Sequence, residues 1–120
     1  MSLHEELGGD EGVAAALDHF YEKVLADDRV NIYFDGRNVE HIKSQQKDFL
    51  AMALGGPNRY KGRDLSKAHA RAREQGLGEE GYDVFMGHFR DTLKELGVPE
   101  TKVEEVMAIA HTGKEEVLGQ

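Results

Sequence analysis

Apolar residues recur every three or four positions along most of the chain, and this period decides which folds are open to it. In residues 12–27 the recurring side chains are Val13, Ala16, Leu17, Phe20, Tyr21, Val24 and Leu25. Such spacing places the apolar side chains on one face of an α-helix. The strict alternation of apolar and polar residues that is typical of a strand occurs nowhere in the sequence. The chain is therefore predicted to be all-α.

Glycine and proline residues mark where the helices begin and end. Asn38 can cap a helix, and Gly55-Gly56-Pro57 ends the apolar stripe that follows it. Pro99, close after Gly97, is typical of a point where one helix stops and the next begins. Besides residues 12–27, the predicted segments are a helical turn at 30–34, a helix at 38–54, a loop at 58–64 and helices at 65–73, 82–96 and 99–117.

Length and charge limit the classes of protein to which the chain can belong. Its 120 residues suffice for one core, so we expect a single domain over residues 1–120. A formal net charge of −8 argues against a nucleic-acid-binding surface. The longest apolar run, residues 49–54, is far shorter than the roughly 20 residues that span a bilayer, and the first residues do not form a secretion signal. We expect a cytoplasmic protein with no membrane partner.

Histidines are the main soft metal ligands available, because the chain has no cysteine. His69 lies centrally on an inward helix face, beside the small residues Ala68 and Ala72. It is either a hydrogen-bonded core histidine or the axial ligand of a haem iron, for which the small neighbours leave room. Zinc is less favoured, because no second ligand stands three or four residues away. Three histidines are expected in solvent, namely His4, His19 and His88, and two at the surface beside the stripes, namely His41 and His111.

Two other polar side chains lie on or beside buried stripes. Tyr21 borders the first long stripe, and Gln46 lies near the centre of the next one, with Gln45 at its edge. A buried polar group without a partner costs about 1–3 kcal/mol, so both should be hydrogen-bonded. One hypothesis is a small polar pocket for a diatomic ligand, with Phe34 and Phe49 as apolar walls. The other is a cofactor-free helical module in which these polar side chains and the inward histidine bond one another.

Several short motifs are spread along nearly the whole chain. They are Leu7-Gly8-Gly9, Phe20-Tyr21, Tyr33-Phe34, Gln45-Gln46-Lys47-Asp48-Phe49, Gly55-Gly56, Lys67-Ala68-His69 and Leu96-Gly97-Val98-Pro99. Each motif is weak alone. In their order and spacing together they resemble the truncated haemoglobins, and specifically the first group of that family.

This resemblance implies a two-over-two helical sandwich, a globin-like all-α fold, around haem b. It makes His69 the proximal iron ligand and Phe34 the phenylalanine that wedges the macrocycle. Tyr21 and Gln46 correspond to the distal pair that stabilises a bound ligand, and Phe49 corresponds to an aromatic residue that lines the pocket.

Some positions depart from the pattern of particular relatives. Gln45 stands where some relatives carry a histidine as sixth iron ligand, so a contact with the cofactor is expected here but not a bis-histidine state. Gly113 stands where some relatives attach haem through a histidine, and His111 lies two residues earlier, so we expect non-covalent haem. Ile42 replaces a polar distal residue, and the absence of tryptophan excludes the group with a distal tryptophan.

The resemblance therefore favours a monomeric haem protein that reversibly binds O2, CO and NO. Conversion of NO and O2 to nitrate is a further hypothesis, with Tyr21 and Gln46 as the catalytic residues. It requires an external reductase, because the chain has no room for a flavin or nicotinamide domain. The alternatives are a gas-sensing or electron-transfer haem protein and, less favoured, the cofactor-free module.

Overall fold

The structure is a computed structural model that describes residues 2–58 and 65–119, and all regular elements in these ranges are helical. In chain order they are α1 (Leu3–Glu6), α2 (Gly9–Leu25), a 3-10 helix (Asn31–Phe34), α3 (Val39–Ala53), α4 (Leu65–Ala68), α5 (Ala70–Glu74), α6 (Glu79–Glu95), α7 (Glu100–His111) and α8 (Lys114–Leu118). The all-α prediction is confirmed. Residues 59–64 of the predicted loop lie outside the described residues.

Local sequence signals account for some of the helix boundaries. The side chain of Asn38 accepts a hydrogen bond from the backbone N–H of His41 at 3.1 Å and so caps α3 as predicted. Helix α2 begins at Gly9, three residues before the predicted start. Asp10 and Glu11 lie in its first turn, where negative charge is favourable.

Two predicted helices are each divided into two. The segment at 65–73 breaks at His69, whose backbone angles of φ −104° and ψ 4° leave the helical region between α4 and α5. The last helix breaks after His111, where the Thr112 hydroxyl donates to the carbonyl of Ile109 at 2.6 Å and Gly113 follows. A threonine that bonds its own backbone and a glycine both weaken a helix, which explains this second break.

Helix α2 is the centre of the packing, with α3 on one side and α6 on another, and α6 also packs against α7. The fully buried side chains include Val24 of α2, Leu93 of α6, and Val103 and Val106 of α7. The short helix α4 packs against α8. Arg73 of α5 joins the same contact, because its guanidinium donates to the backbone carbonyl of Val117 at 3.0 Å.

The first helix is attached to the end of α3. The backbone N–H of His4 donates to the carbonyl of Leu54 at 3.1 Å, and the His4 ring is buried with Nε2 3.0 Å from a carboxylate oxygen of Asp10. Gly56 packs on this ring, and a Cβ at Gly56 would lie only 2.5 Å from it. The prediction that His4 is solvated is therefore wrong, because a distant segment of the chain covers it.

The prediction that His88 is solvated is also wrong. It is half-buried, and its Nε2 lies 2.7 Å from Oδ2 of Asp27, 61 residues away at the end of α2. Asp27 also accepts hydrogen bonds from the backbone and the guanidinium of Arg29. The chain turns after α2 in a way that brings this carboxylate against α6. His19 and His41 are exposed, as expected.

Across the described ranges, no helix combines the length and the apolar character needed to cross a bilayer.

Candidate functional site

Tyr21 and Gln46 meet between α2 and α3. The Tyr21 hydroxyl donates a hydrogen bond to Oε1 of Gln46. Tyr21 is only 3% exposed, and this burial raises the pKa of its phenol well above the usual range, although the nearby charge of Arg37 opposes the shift. The phenol therefore stays protonated and acts as a donor. Because Oε1 of Gln46 accepts this bond, the amide nitrogen remains the donor end of that side chain.

Aromatic rings surround the phenol. Phe34, at the end of the 3-10 helix, stands edge-on to Tyr21 with ring centroids 5.5 Å apart. Phe20 lies 5.2 Å from Tyr21 in a similar geometry. Phe85 of α6 lies 6.0 Å from Phe34 and so extends the cluster. The structure thus places Phe34 beside the polar pair, and adds Phe85, which is not among the predicted site residues.

Part of the apolar surface around the core is incompletely covered. Large side chains from several elements contact the core and yet are half-exposed; they include Phe34, Val39, Ile42, Phe85, Met86, Ile109, Val117 and Leu118. Large apolar side chains are among the residues most often fully buried in folded proteins. A large flat apolar group would cover surfaces of this kind.

His69 lies at the break between α4 and α5 and is half-buried. Its neighbours Ala68 and Ala70 are half-buried, and Ala72 is buried, so the surroundings are small and apolar. Within the described ranges no three or more histidine or acidic side chains form a cluster that could hold a metal ion. A metal at His69 therefore fits best if most of its ligands come from a cofactor, as the four nitrogens of a porphyrin do.

Two predicted contact residues lie on α3. Phe49 is half-buried, in keeping with a lining position. Gln45 is exposed, and its neighbour in sequence is the half-buried Gln46. Contact of either residue with a cofactor stays a prediction.

His111 is exposed at the end of α7, and it is hydrogen-bonded to a buried tyrosine. The Tyr82 hydroxyl and Nδ1 of His111 lie 2.9 Å apart, and the ammonium of Lys114 lies 5.4 Å from the centre of the Tyr82 ring. Burial and the nearby charge of Asp83 raise the pKa of Tyr82. Nδ1 of His111 is thus engaged with a phenol.

An apolar cavity of about 330 Å³ lies at the opposite end of α2 from Tyr21. Its walls include Val13 and Ala16 of α2, Leu50 of α3, and Leu93 of α6. The ion pair between Lys102 and Glu6 stands at its edge, with N and O 3.0 Å apart.

Comparison with known proteins gives consistent matches. The family model for bacterial-like globins matches residues 2–118. A group 1 truncated hemoglobin of Tetrahymena thermophila is 41% identical over 119 residues, which cover 99% of this chain and 96% of that protein. The 2/2 hemoglobin of Synechococcus sp. PCC 7002, solved in the cyanomet state with covalently attached heme, gives a TM-score of 0.95 at 37% identity over 100% of both chains. Truncated hemoglobin from Tetrahymena pyriformis in the Fe(III) form gives 0.91 at 38% identity, again over 100% of both.

Proposed function

This chain belongs to the bacterial-like globins, and within them to the group 1 truncated haemoglobins, and from that premise we propose that it holds haem b through His69 and reversibly binds O2, CO and NO. The haem would supply an iron centre with one open coordination position for the gas. The residues of the chain would hold the group, exclude water and select among ligands.

The hydrogen bond between Tyr21 and Gln46 carries this proposal. It fixes two polar side chains inside an aromatic surrounding, where the buried phenol stays protonated. O2 becomes partly negative when it binds a ferrous iron, whereas CO remains less polar. The Gln46 amide nitrogen is a donor that favours the more negative ligand, and the phenol would become one when its single proton turns from Oε1 of Gln46 to the ligand. The pair would therefore slow the release of O2 more than that of CO.

His69 is the residue that we propose as the proximal ligand. Its position between two short helices frees the imidazole from the constraints of a helix interior, and the adjoining alanines leave space for a flat ring. The half-exposed apolar side chains on α3, α6, α7 and α8 would bury the faces and edge of the group. We propose non-covalent attachment, because Gly113 carries no side chain that could bond a vinyl group.

Conversion of NO to nitrate is a further activity that this site would support. With haem bound, the conversion of NO and O2 to nitrate would consume one electron per turnover. The electron must come from a separate reductase. The net charge of −8 disfavours self-association, so we expect a monomer in solution.

Absorption spectra test the function directly. Protein expressed with a haem precursor should be coloured, show a Soret band as purified, and shift that band after reduction with dithionite and again after addition of CO. Colourless protein that stays folded by circular dichroism and takes up no added haem would favour the cofactor-free module instead.

A further inference from the structure

Exposed apolar side chains meet at the corner between α2 and the 3-10 helix. Among the described residues the exposed large apolar side chains are Leu25 at 41%, Ile32 at 52% and Leu96 at 40%. Leu25 and Ile32 border one open groove of about 540 Å³, called here the corner groove. It is lined by Leu25, Asp28, Asn31, Ile32, Phe34 and Asp35. Two of the three exposed apolar residues therefore share a single surface feature.

Hydrogen bonds hold this corner in a defined conformation. The side-chain amide of Asn31 donates to the carbonyl of Leu25 at 3.2 Å. The backbone carbonyl of Asp27 accepts from the N–H of Asn31 at 2.9 Å, and its carboxylate is bonded to His88 of α6. The exposed side chains of Leu25 and Ile32 therefore lie on a turn that is held in one conformation by hydrogen bonds. This order reduces the entropy lost when a partner binds.

Phe34 connects the corner groove to the proposed gas-binding pocket. It lines the groove, and its ring also contacts Tyr21 at 5.5 Å and Phe85 at 6.0 Å between centroids. One side chain thus separates a molecule in the groove from the polar pair. Short paths of this kind favour electron transfer between a docked protein and a buried redox centre.

The charges around the groove are acidic. Asp28 and Asp35 line it, and its lining residues include no lysine or arginine. The nearest cation in sequence, Arg29, is paired with the carboxylate of Asp27 at 2.6 Å. The charge of Arg37 acts on the phenol of Tyr21. Together with the net charge of −8, this arrangement attracts a basic surface.

We propose that the corner groove is the docking surface for a one-electron carrier protein that has an apolar centre surrounded by lysine or arginine residues. The inference rests on the proposed function, since it assigns a place to the electron donor which that function requires. The carrier protein would lose one electron and the haem iron, when haem is bound, would gain it, and no covalent bond would form or break. Electron-transfer complexes have small, transient interfaces, so a docking surface with two exposed apolar side chains fits that class.

Electron transfer to a basic probe protein tests the proposal. The ferrous, gas-free protein is mixed in a stopped-flow instrument with oxidised cytochrome c, whose haem edge is ringed by lysines, at low and at high salt. We compare wild type with Ile32→Lys and with Leu96→Lys. The two variants make the same change of charge at an exposed apolar residue, but Leu96 lies outside the groove.

At low salt Ile32→Lys should lower the second-order rate constant on the order of tenfold, because the new positive charge in the corner groove repels the lysines of cytochrome c. Leu96→Lys should change it less than about twofold, and salt should slow the wild type. Equal effects of the two substitutions, or none from Ile32→Lys, would overturn the assignment. Ferricyanide needs no docking surface. At high salt, where the effect of the introduced charge on this anion is screened, it should oxidise both variants at the wild-type rate.

The CO complex of each sample separates this proposal from the one on which it rests. A protein without a CO spectrum would overturn the haem-binding function and the docking surface with it. A normal CO spectrum combined with identical cytochrome c kinetics in all variants would overturn the docking surface alone.

Discussion

The Tyr21 hydroxyl donates to the side-chain carbonyl of Gln46, across 25 residues of sequence and between two helices. The bond uses the phenol proton and leaves the amide nitrogen of Gln46 as a donor. A ligand that accepts a hydrogen bond can therefore be held by the amide nitrogen, or by the phenol once its single proton turns from Gln46 to the ligand.

Removal of either donor should accelerate the release of O2. If each bond to the ligand contributes about 1–2 kcal/mol, Tyr21→Phe should raise the O2 dissociation rate on the order of tenfold. Gln46→Leu should act in the same direction. CO release should change far less. Stopped-flow replacement of O2 by CO, and of CO by NO, measures both rates, and equal effects on the two ligands would mean that the pair serves only the fold.

Replacement of His69 by alanine should abolish or greatly weaken haem binding, because we propose no other axial ligand from the chain. The matched control is His19→Ala, which removes an exposed histidine from α2. The Soret band and the CO-difference spectrum report the result. A His69→Ala protein with the wild-type spectra would show that another residue binds the iron.

Acid and butanone should extract all of the haem and leave colourless protein. The reason is that Gly113 has no side chain that could bond a vinyl group of the haem, and Nδ1 of His111 is hydrogen-bonded to the Tyr82 hydroxyl. His111→Phe should extract in the same way as wild type. If colour persisted in wild type and vanished in that variant, His111 would be the point of attachment.

Gly56→Ala should destabilise the fold, because the new methyl group would lie 2.5 Å from the buried ring of His4. Such overpacking costs about 1–3 kcal/mol of unfolding free energy. The control is Gly87→Ala, an exposed position in α6 with open space around it, where alanine should stabilise the helix by about 0.5–1 kcal/mol. Urea unfolding measures both, and the penalty at Gly56 should shrink when His4 is also alanine.

Asp27 should make the stability depend on acid pH. Hydrogen bonds from Arg29 and then from His88 hold the pKa of its carboxyl well below the usual range. Such a carboxylate stabilises the fold at any pH above its unfolded pKa of about 3.9, and the contribution is lost as the pH falls from there through the lowered value.

Asp27→Asn should therefore be less stable than wild type at pH 6, and the difference should shrink as the pH falls towards 2. Asp28→Asn is the control, since that carboxylate has only a long contact of 3.5 Å with Asn31. Urea unfolding curves at several pH values give the comparison. A difference between Asp27→Asn and wild type that stayed constant down to pH 2 would contradict this role.

Periodicity predicted the parts of the structure that depend on neighbours in sequence. The inward faces of the long helices follow from apolar residues three and four apart. The role of Asn38 as the N-cap of α3 follows from the preference of helix caps for asparagine. The convergence of Tyr21 and Gln46 could also be inferred, because buried polar groups need partners and each lies on or beside a stripe.

Contacts between distant segments could not be predicted in this way. His4 contacts Leu54 and Gly56, and His88 is hydrogen-bonded to Asp27. Nothing in the immediate sequence of either histidine indicates these partners. The break at His69 could not be predicted either, because the alanines around it favour a continuous helix. The backbone of His69 leaves the helical conformation only in the folded chain.

The hydrogen bond from Arg73 to Val117 has a consequence for the order in which parts of the protein fold during synthesis. The guanidinium that closes the last helix belongs to α5, and its acceptor lies 44 residues later in the chain. On a ribosome, α2 and α3 are complete and free to pack long before that acceptor leaves the exit tunnel. The segment around His69 acquires its support from α8 only after α8 has emerged, so this contact forms later than the packing of α2 on α3.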